Sequence, residues 1–215
     1  MGIVLFGSPG SGKGTQAKLL CDRLRIPHIS TGDMLRDRVR HGQTAGTAVE
    51  AKMQAGILVS DEVVNRMVEE RLACPDTAKG FILDGYPRTL TQAQHLCQWL
   101  DVRQRRVVVI HLEVDYNVII ARLTGRRQCP RCGTLYNLAS QPPRVDNLCD
   151  LDGEALAVRD DDSESVIRQR LEAYEQQTRP VLEYYRERGR PVLDVDGSND
   201  PPDRIFEKIR AAIEA

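Results

Sequence analysis

The amino-acid sequence predicts an α/β fold, a doubly wound parallel sheet with helices on both faces. Two observations carry that expectation. Short apolar runs recur at Ile3–Phe6, Phe81–Leu83, Val107–Leu112 and Val192–Val195, each bounded by Gly, Pro or Asp and each followed by a helix-compatible stretch. None alternates cleanly with polar residues, as expected of strands covered on both faces. At 215 residues the chain suits one core with small insertions, enough to bury roughly 70% of its unfolded surface.

Taken in order, the first strand leads through a Gly-rich turn into a helix over 14–25. Pro27-His28-Ile29-Ser30 reads as a further short strand. Helices follow over 32–41, 44–55, 61–73, 91–100 and 115–123, the last with Asp115 as N-cap. A longer helix begins at a capping Ser163 and keeps Ile167, Leu171, Tyr174, Val181 and Tyr185 on one face, with a kink expected near Arg179 because Pro180 cannot donate its N–H. Two segments interrupt the rhythm: a helical excursion from about 30 to 59, and a polar, Pro- and Cys-containing stretch from about 122 to 159. The second has no convincing long helix, so something else must organise it.

Charge and composition exclude several classes. With 30 basic and 31 acidic residues the net charge is −1, so no global basic field exists to hold nucleic acid or an anionic membrane. No apolar run reaches 18 residues and no cleavable leader opens the chain, which predicts a cytoplasmic protein. Heptads and long apolar edges are missing, which favours a monomer. Of the six cysteines, Cys21, Cys74 and Cys97 are scattered and read as small core or subsurface residues. Cys129, Cys132 and Cys149 cluster, a spacing that suggests metal over disulfides.

Phosphate must therefore be caught locally. Gly7-Ser8-Pro9-Gly10-Ser11-Gly12-Lys13-Gly14-Thr15 follows the first strand and opens a helix, the context a phosphate-binding loop requires, and places the fold with P-loop NTPase-like sheets. Gly10, Ser11, Gly12, Gly14 and Thr15 turn backbone N–H groups toward a phosphate at a helix N-terminus, and Lys13 reaches the β- and γ-phosphates. Gly14 stands where the strict pattern has Ser or Thr, which leaves the role of the Thr15 hydroxyl toward Mg²⁺ open. Such a loop alone establishes only nucleotide binding.

Two further motifs narrow the class. The loop continues to Gln16; then come Ser30-Thr31-Gly32-Asp33-Met34-Leu35-Arg36 and Leu83-Asp84-Gly85-Tyr86-Pro87-Arg88-Thr89 with Gln92. In this order and separation they resemble the adenylate kinase family, over essentially the whole chain. That resemblance implies a kinase moving the terminal phosphoryl group of Mg-ATP reversibly onto AMP, giving two ADP, for adenine nucleotide homeostasis. It divides the chain into a core (1–29, 60–121 and 162–215), an AMP-binding insertion (30–59) and a lid (122–161). It places AMP on Thr31, Arg36, Ile57, Leu58, Val59, Gly85, Tyr86, Pro87, Arg88 and Gln92, with Arg159 and Arg170 on the AMP side and the transferring group. ATP meets the loop, Arg122, Arg126, Leu135, Tyr136 and Asn199. Asp161 and Asp162 fall on an acidic hinge pair, and Asp33 and Asp84 hold Mg²⁺ through water. Lys13, Arg88, Arg126, Arg159 and Arg170 are the catalytic set. Tyr86 stands where the family more often has Phe, a departure expected to be silent.

The residue chemistry agrees with these roles. Guanidinium forks match phosphate oxygens, and an amide side chain meets the donor–acceptor edge of adenine. Thr31 and Gln92 favour adenine over the pyrimidine of a UMP or CMP kinase. Arg36 and Arg88, a second phosphate-binding set, speak against an ATPase used as a conformational switch. In the lid, Cys129 and Cys132, then Cys149 and Asp152, form a C-x₂-C…C-x₂-D frame suited to tetrahedral Zn²⁺ with no open position, hence a structural metal. Zinc-bearing members carry Cys or Asp at the fourth position, where Asp152 stands; Asp150 is the competing oxygen. A nucleic-acid-binding zinc ribbon is disfavoured because Tyr136 is the only aromatic between the knuckles.

Overall fold

The structure is a computed structural model that describes residues 1–41 and 46–214. Its centre is a five-stranded, wholly parallel sheet in the order β2-β3-β1-β4-β7. The strands are β1 (Gly2–Phe6), β2 (His28–Ser30), β3 (Phe81–Asp84), β4 (Val107–Glu113) and β7 (Val192–Asp196). Central β1 pairs with β3 on one side and β4 on the other, so the loop that follows it emerges at the middle of the sheet's carboxyl edge.

The pleat of β1 explains the missing alternation. Val4 and Phe6 point to one face, where they pack with residues of α2 (Thr31–Arg40), α4 (Asp61–Leu72), α5 (Leu90–Val102) and α8 (Arg179–Glu187). Ile3 and Leu5 point to the other, against α1 (Lys13–Leu24) and α9 (Pro202–Glu214). Both faces are buried, so both sets must be apolar. A smaller cluster joins α6 (Tyr116–Thr124) to α7 (Glu164–Ala173) through Ile119, Leu123, Ile167 and Leu171. The fold class expected from sequence is the one observed. Among the described residues no helix is long and apolar enough to cross a membrane.

Local differences have physical causes. Asp115 and Ser163 occupy their expected N-cap positions, yet neither side chain accepts a capping hydrogen bond. The Asp115 N–H donates instead to Ser198 Oγ at 3.0 Å, which ties α6 to the loop after β7. The caps that do form are Ser30, accepting from Asp33 N, and Thr89, accepting from Gln92 N. At Pro180 the expected kink takes the form of a π turn, Tyr174–Thr178, between α7 and α8, and Pro180 sits in the first turn of α8, where a missing N–H is harmless. In the first excursion α3 runs from Gly46 to Gln54; its expected start at Thr44 lies outside the described residues. The second excursion carries an antiparallel ribbon, β5 (Arg126–Gln128) with β6 (Leu135–Asn137), extended by bridges from Gln128 to Ala157 and Leu148 to Ala155.

Tyr86 is not silent. Its ring is 1% exposed, and its hydroxyl donates to Asn65 Oδ1 at 2.7 Å, with the Gln92 carbonyl as a second acceptor at 3.2 Å. Tyr86→Phe leaves a buried Asn oxygen without that donor, which costs about 1 kcal/mol and lowers Tm by roughly 2–4 °C in a chain of this size. A thermal melt of the variant checks this; an unchanged Tm contradicts it.

Candidate active site

One cavity of about 780 Å³ runs along the carboxyl edge of the sheet, bounded by the loop after β1, the first excursion and the second. It is large enough for two nucleotides. Almost every residue expected to bind a ligand lines it. These are the loop residues Gly10, Ser11, Gly12, Lys13, Gly14 and Thr15; Thr31, Asp33, Arg36, Ile57, Leu58, Val59, Asp84, Gly85, Pro87, Arg88 and Gln92; and Arg122, Arg126, Leu135, Tyr136, Arg159, Arg170 and Asn199. Tyr86 is the exception, buried behind the wall as described above.

The loop has the geometry its glycines imply. At Gly10, φ is +85° and an added Cβ would lie 2.8 Å from Leu123 Cγ, so both conformation and space require glycine. Lys13 folds back over the loop, donating to the Gly7 carbonyl at 2.6 Å and the Ser8 carbonyl at 2.9 Å. Burial pushes its ammonium down to about 8, and the charges of Arg88, Arg170 and Arg126 act in the same direction against Asp84. Burial by itself would raise Asp84. The hydrogen bond from His28 and the charges of Lys13 and Arg88 outweigh it and hold the carboxyl below its ordinary range.

The facing wall is cationic. Burial, with the charge of Arg170, pushes Arg88 down to about 10; burial, with Arg126 and Arg36, does the same for Arg159. All remain charged at neutral pH, and their mutual repulsion is what a polyanion would relieve. Carboxylates pair with Arg36, Arg126 and Arg170. Asp162, whose side chain is fully buried, binds Arg126 through both oxygens and Arg170 at 3.1 Å. Asp161 binds Arg170 at 3.0 Å and Asp33 binds Arg36 at 2.6 Å. Arg122 differs: it donates to the Gly197 carbonyl at 2.7 Å, next to Ser198 and Asn199. Thr31 Oγ1 donates to the Gly85 carbonyl at 2.8 Å, which also accepts from Arg88 Nε, so the Thr31 and Arg88 side chains share one turn.

Four supporting residues carry no motif. His28 sits 3.2 Å from Asp84, Asn65 receives Tyr86, Asp61 receives Gln92 and Thr89, and Gln128 accepts from Arg159 Nε at 2.6 Å while donating to the Gly133 carbonyl. Each is a lone polar residue whose partner is distant in sequence, so neither periodicity nor local spacing signals it.

In the second excursion the ligand atoms of Cys129, Cys132, Cys149 and Asp152 all lie within 4.8 Å of one another. Cys132 and Cys149 sulfurs are 3.5 Å apart, and Cys129 Sγ is 3.4 Å from Asp152 Oδ1. A tetrahedral site with Zn–S near 2.3 Å separates its sulfurs by about 3.8 Å, so this donor set suits zinc. Asp150 points elsewhere: its Oδ1 accepts from Arg144 N at 2.8 Å.

A family model described as adenylate kinase matches residues 5–190. The chain is 53% identical over 182 residues to an adenylate kinase of Syntrophotalea carbinolica, covering 84% of each chain. It is 44% identical over 214 residues to one of Caldanaerobacter subterraneus subsp. tengcongensis, covering 99% of this chain and 96% of that one. Against one of Anaeromyxobacter dehalogenans the figures are 48% over 180 residues, 83% of this chain and 84% of the other.

The lowered Lys13 gives a signed pH dependence. Polyphosphate favours the ammonium, so below about pH 7 binding takes up no proton at this group; from about 8 upward the free protein has lost that proton and must regain it to bind. Calorimetry with a nucleoside triphosphate in two buffers of different ionisation enthalpy should show proton uptake at pH 9 and affinity about tenfold weaker than at pH 7. Lys13→Met should abolish the uptake; uptake that persists in that variant contradicts the role of Lys13.

Proposed function

The chain belongs to the adenylate kinase family, and from that premise we propose that its cleft holds ATP on the phosphate loop and AMP on the facing wall. The protein is a phosphotransferase, moving the terminal phosphoryl group of Mg-ATP reversibly onto AMP to give two ADP. The observation that carries the placement of the substrates is that one cavity contains two phosphate-binding sets, Lys13 with its loop and Arg36 with Arg88. A nucleotide switch needs only one.

In this reading an AMP phosphate oxygen, already anionic near neutral pH, attacks in line, so no general base is required. Lys13, Arg88, Arg126, Arg159 and Arg170 neutralise charge on the transferring group. Arg122, Asn199, Leu135 and Tyr136 lie on the ATP side; Tyr136 contributes through its backbone or ring edge, because its hydroxyl is held by Cys149 Sγ and Asp150 N. Thr31, Ile57, Leu58, Val59, Gly85, Pro87 and Gln92 form the AMP side, with Tyr86 supporting them from behind. Asp84 and Asp33 suit a hard cation held through water, since Asp84 is anionic and, among the described residues, only its Oδ2 is bonded, to His28. Mg²⁺ held there with ATP would supply charge neutralisation to the phosphates. Residues 30–59 and 122–161 act as closing insertions that exclude water, which would otherwise intercept the phosphoryl group. A cytoplasmic monomer is part of the same reading, since both substrates are small and diffusible.

The acceptor panel tests the assignment. With Mg-ATP, AMP should exceed UMP, CMP and GMP in kcat/KM by at least about 100-fold. Comparable turnover of UMP or CMP would reject it.

The Cys₃Asp set is proposed to hold a structural Zn²⁺, supported by its saturated donor set and by how little apolar surface this excursion buries, chiefly Cys129, Tyr136 and Cys149. Cys132→Ser should lose the metal, melt earlier and become protease-sensitive between residues 127 and 159, yet keep appreciable ADP formation at low temperature. Asp152→Cys should keep zinc as a Cys₄ site. Metal analysis, melts and coupled kinetics decide; a metal-free Cys132→Ser protein that is equally heat-resistant but catalytically dead would overturn the structural role.

A further inference from the structure

Gln92 is 2% exposed and its amide is committed at both ends. Its Oε1 accepts from the Arg88 backbone N–H at 2.7 Å, and its Nε2 donates to Asp61 Oδ1 at 2.8 Å. Asp61 Oδ2 is in turn held by Thr89 Oγ1 at 3.0 Å, and that same hydroxyl accepts from Gln92 N. A carboxylate only accepts and a backbone N–H only donates, so the two neighbours permit a single orientation of the amide. Flipped, Gln92 would set an oxygen against a carboxylate and an NH₂ against an N–H.

The fixed orientation decides what remains for a ligand. One N–H of Nε2 and one lone pair of Oε1 are left over at the cavity wall. Adenine answers that pair with a ring nitrogen that accepts and a 6-amino group that donates. Hypoxanthine and guanine carry a 6-oxo acceptor beside an N1–H donor, the reverse order, which a freely flipping Gln would accommodate equally well. Amide chemistry alone therefore does not distinguish 6-amino from 6-oxo purines.

We propose that Asp61 is a positioning residue that sets purine selectivity: by locking the Gln92 amide it makes the acceptor site read a 6-amino purine and refuse a 6-oxo one. This rests on the reading above that the AMP base lies against Gln92. Asp61 touches no ligand in this scheme and acts only through Gln92. Its place at the first position of α4, two residues beyond the wall residue Val59, puts it in a helix directly beside the wall.

The test compares wild type, Asp61→Ala, Asp61→Asn, Gln92→Ala and the double variant Asp61→Ala/Gln92→Ala, with AMP and IMP as acceptors at saturating Mg-ATP. Asp61→Ala removes both accepting oxygens, so one of the two locks on Gln92 is lost; Asp61→Asn keeps an amide oxygen that can face Gln92 Nε2 while its NH₂ faces the Thr89 hydroxyl, and is the conservative variant that should restore the ratio toward wild type. Expected for Asp61→Ala are a raised KM for AMP, kcat and the KM for ATP within about twofold of wild type, and an AMP-to-IMP ratio of kcat/KM compressed by at least about tenfold, the scale of one charge-assisted hydrogen bond. The double variant should compress the ratio no further than Gln92→Ala. Both acceptors are read on one preparation, so the ratio is unaffected by the fraction of folded enzyme. If Gln92→Ala collapses the ratio while Asp61→Ala leaves it within about twofold, Asp61 has no such role and base recognition by Gln92 stands. If Gln92→Ala leaves the ratio unchanged, the placement of the base fails and this inference fails with it.

Discussion

Lys13, Arg36, Arg88, Arg126, Arg159 and Arg170 all line one cleft of a chain whose net charge is −1. Keeping these cations together is the constraint on which the rest of the site depends. Lys13, Arg88, Arg159 and Arg170 are partly buried and feel neighbouring cations, a repulsion that a polyphosphate relieves. Four carboxylates, Asp33, Asp84, Asp161 and Asp162, make the arrangement tolerable in the meantime. Asp162 matters most, because a buried carboxylate holding two arginines has no water to fall back on.

The sheet supplies the other half of the design. Strand β1 lies at its centre with both faces buried, so the loop it launches is anchored on two sides by apolar packing. Only glycine then fits at position 10, because Leu123 and Ile119 of α6 press against it. A loop so confined can present its N–H groups without first paying to order itself.

Much of this was legible in the sequence, and the boundary of legibility is physical. The five strands and the cavity residues were readable because strand periodicity, Gly-rich turns and the Ser30–Arg36 and Leu83–Gln92 motifs are local signals. The β5–β6 ribbon was not, since Arg126–Gln128 and Leu135–Asn137 are short, polar and held by backbone pairing alone. Asp115 and Ser163 were readable as N-cap positions but their missing side-chain bonds were not, since a suitable residue type at a helix start does not by itself form the capping bond. Asp61, Asn65 and Gln128 escaped because their meaning lies in partners 21 to 31 residues away in the chain. Tyr86 was read as a harmless replacement for Phe; only the position of Asn65 reveals that its hydroxyl has a use.

The π turn between α7 and α8 has a consequence for how the chain tolerates length change. A π turn closes through an i→i+5 bond, here from Arg179 N to Tyr174 O, and so holds one residue more than the helix on either side. Removing a single residue from Tyr174–Thr178 would let the two helices fuse into one regular spiral with α7 and α8 close to their present phase, because an i→i+5 turn spends one more residue on about the same rotation as the α turn that replaces it. Ile167 and Leu171 would keep the cluster they share with α6, and Arg170 its place in the cleft, whereas a deletion within α7 or α8 would rotate one against the other by about 100°. The turn is thus a length buffer: it absorbs one residue while the azimuth of Arg170 stays fixed relative to a core that α8 already grips.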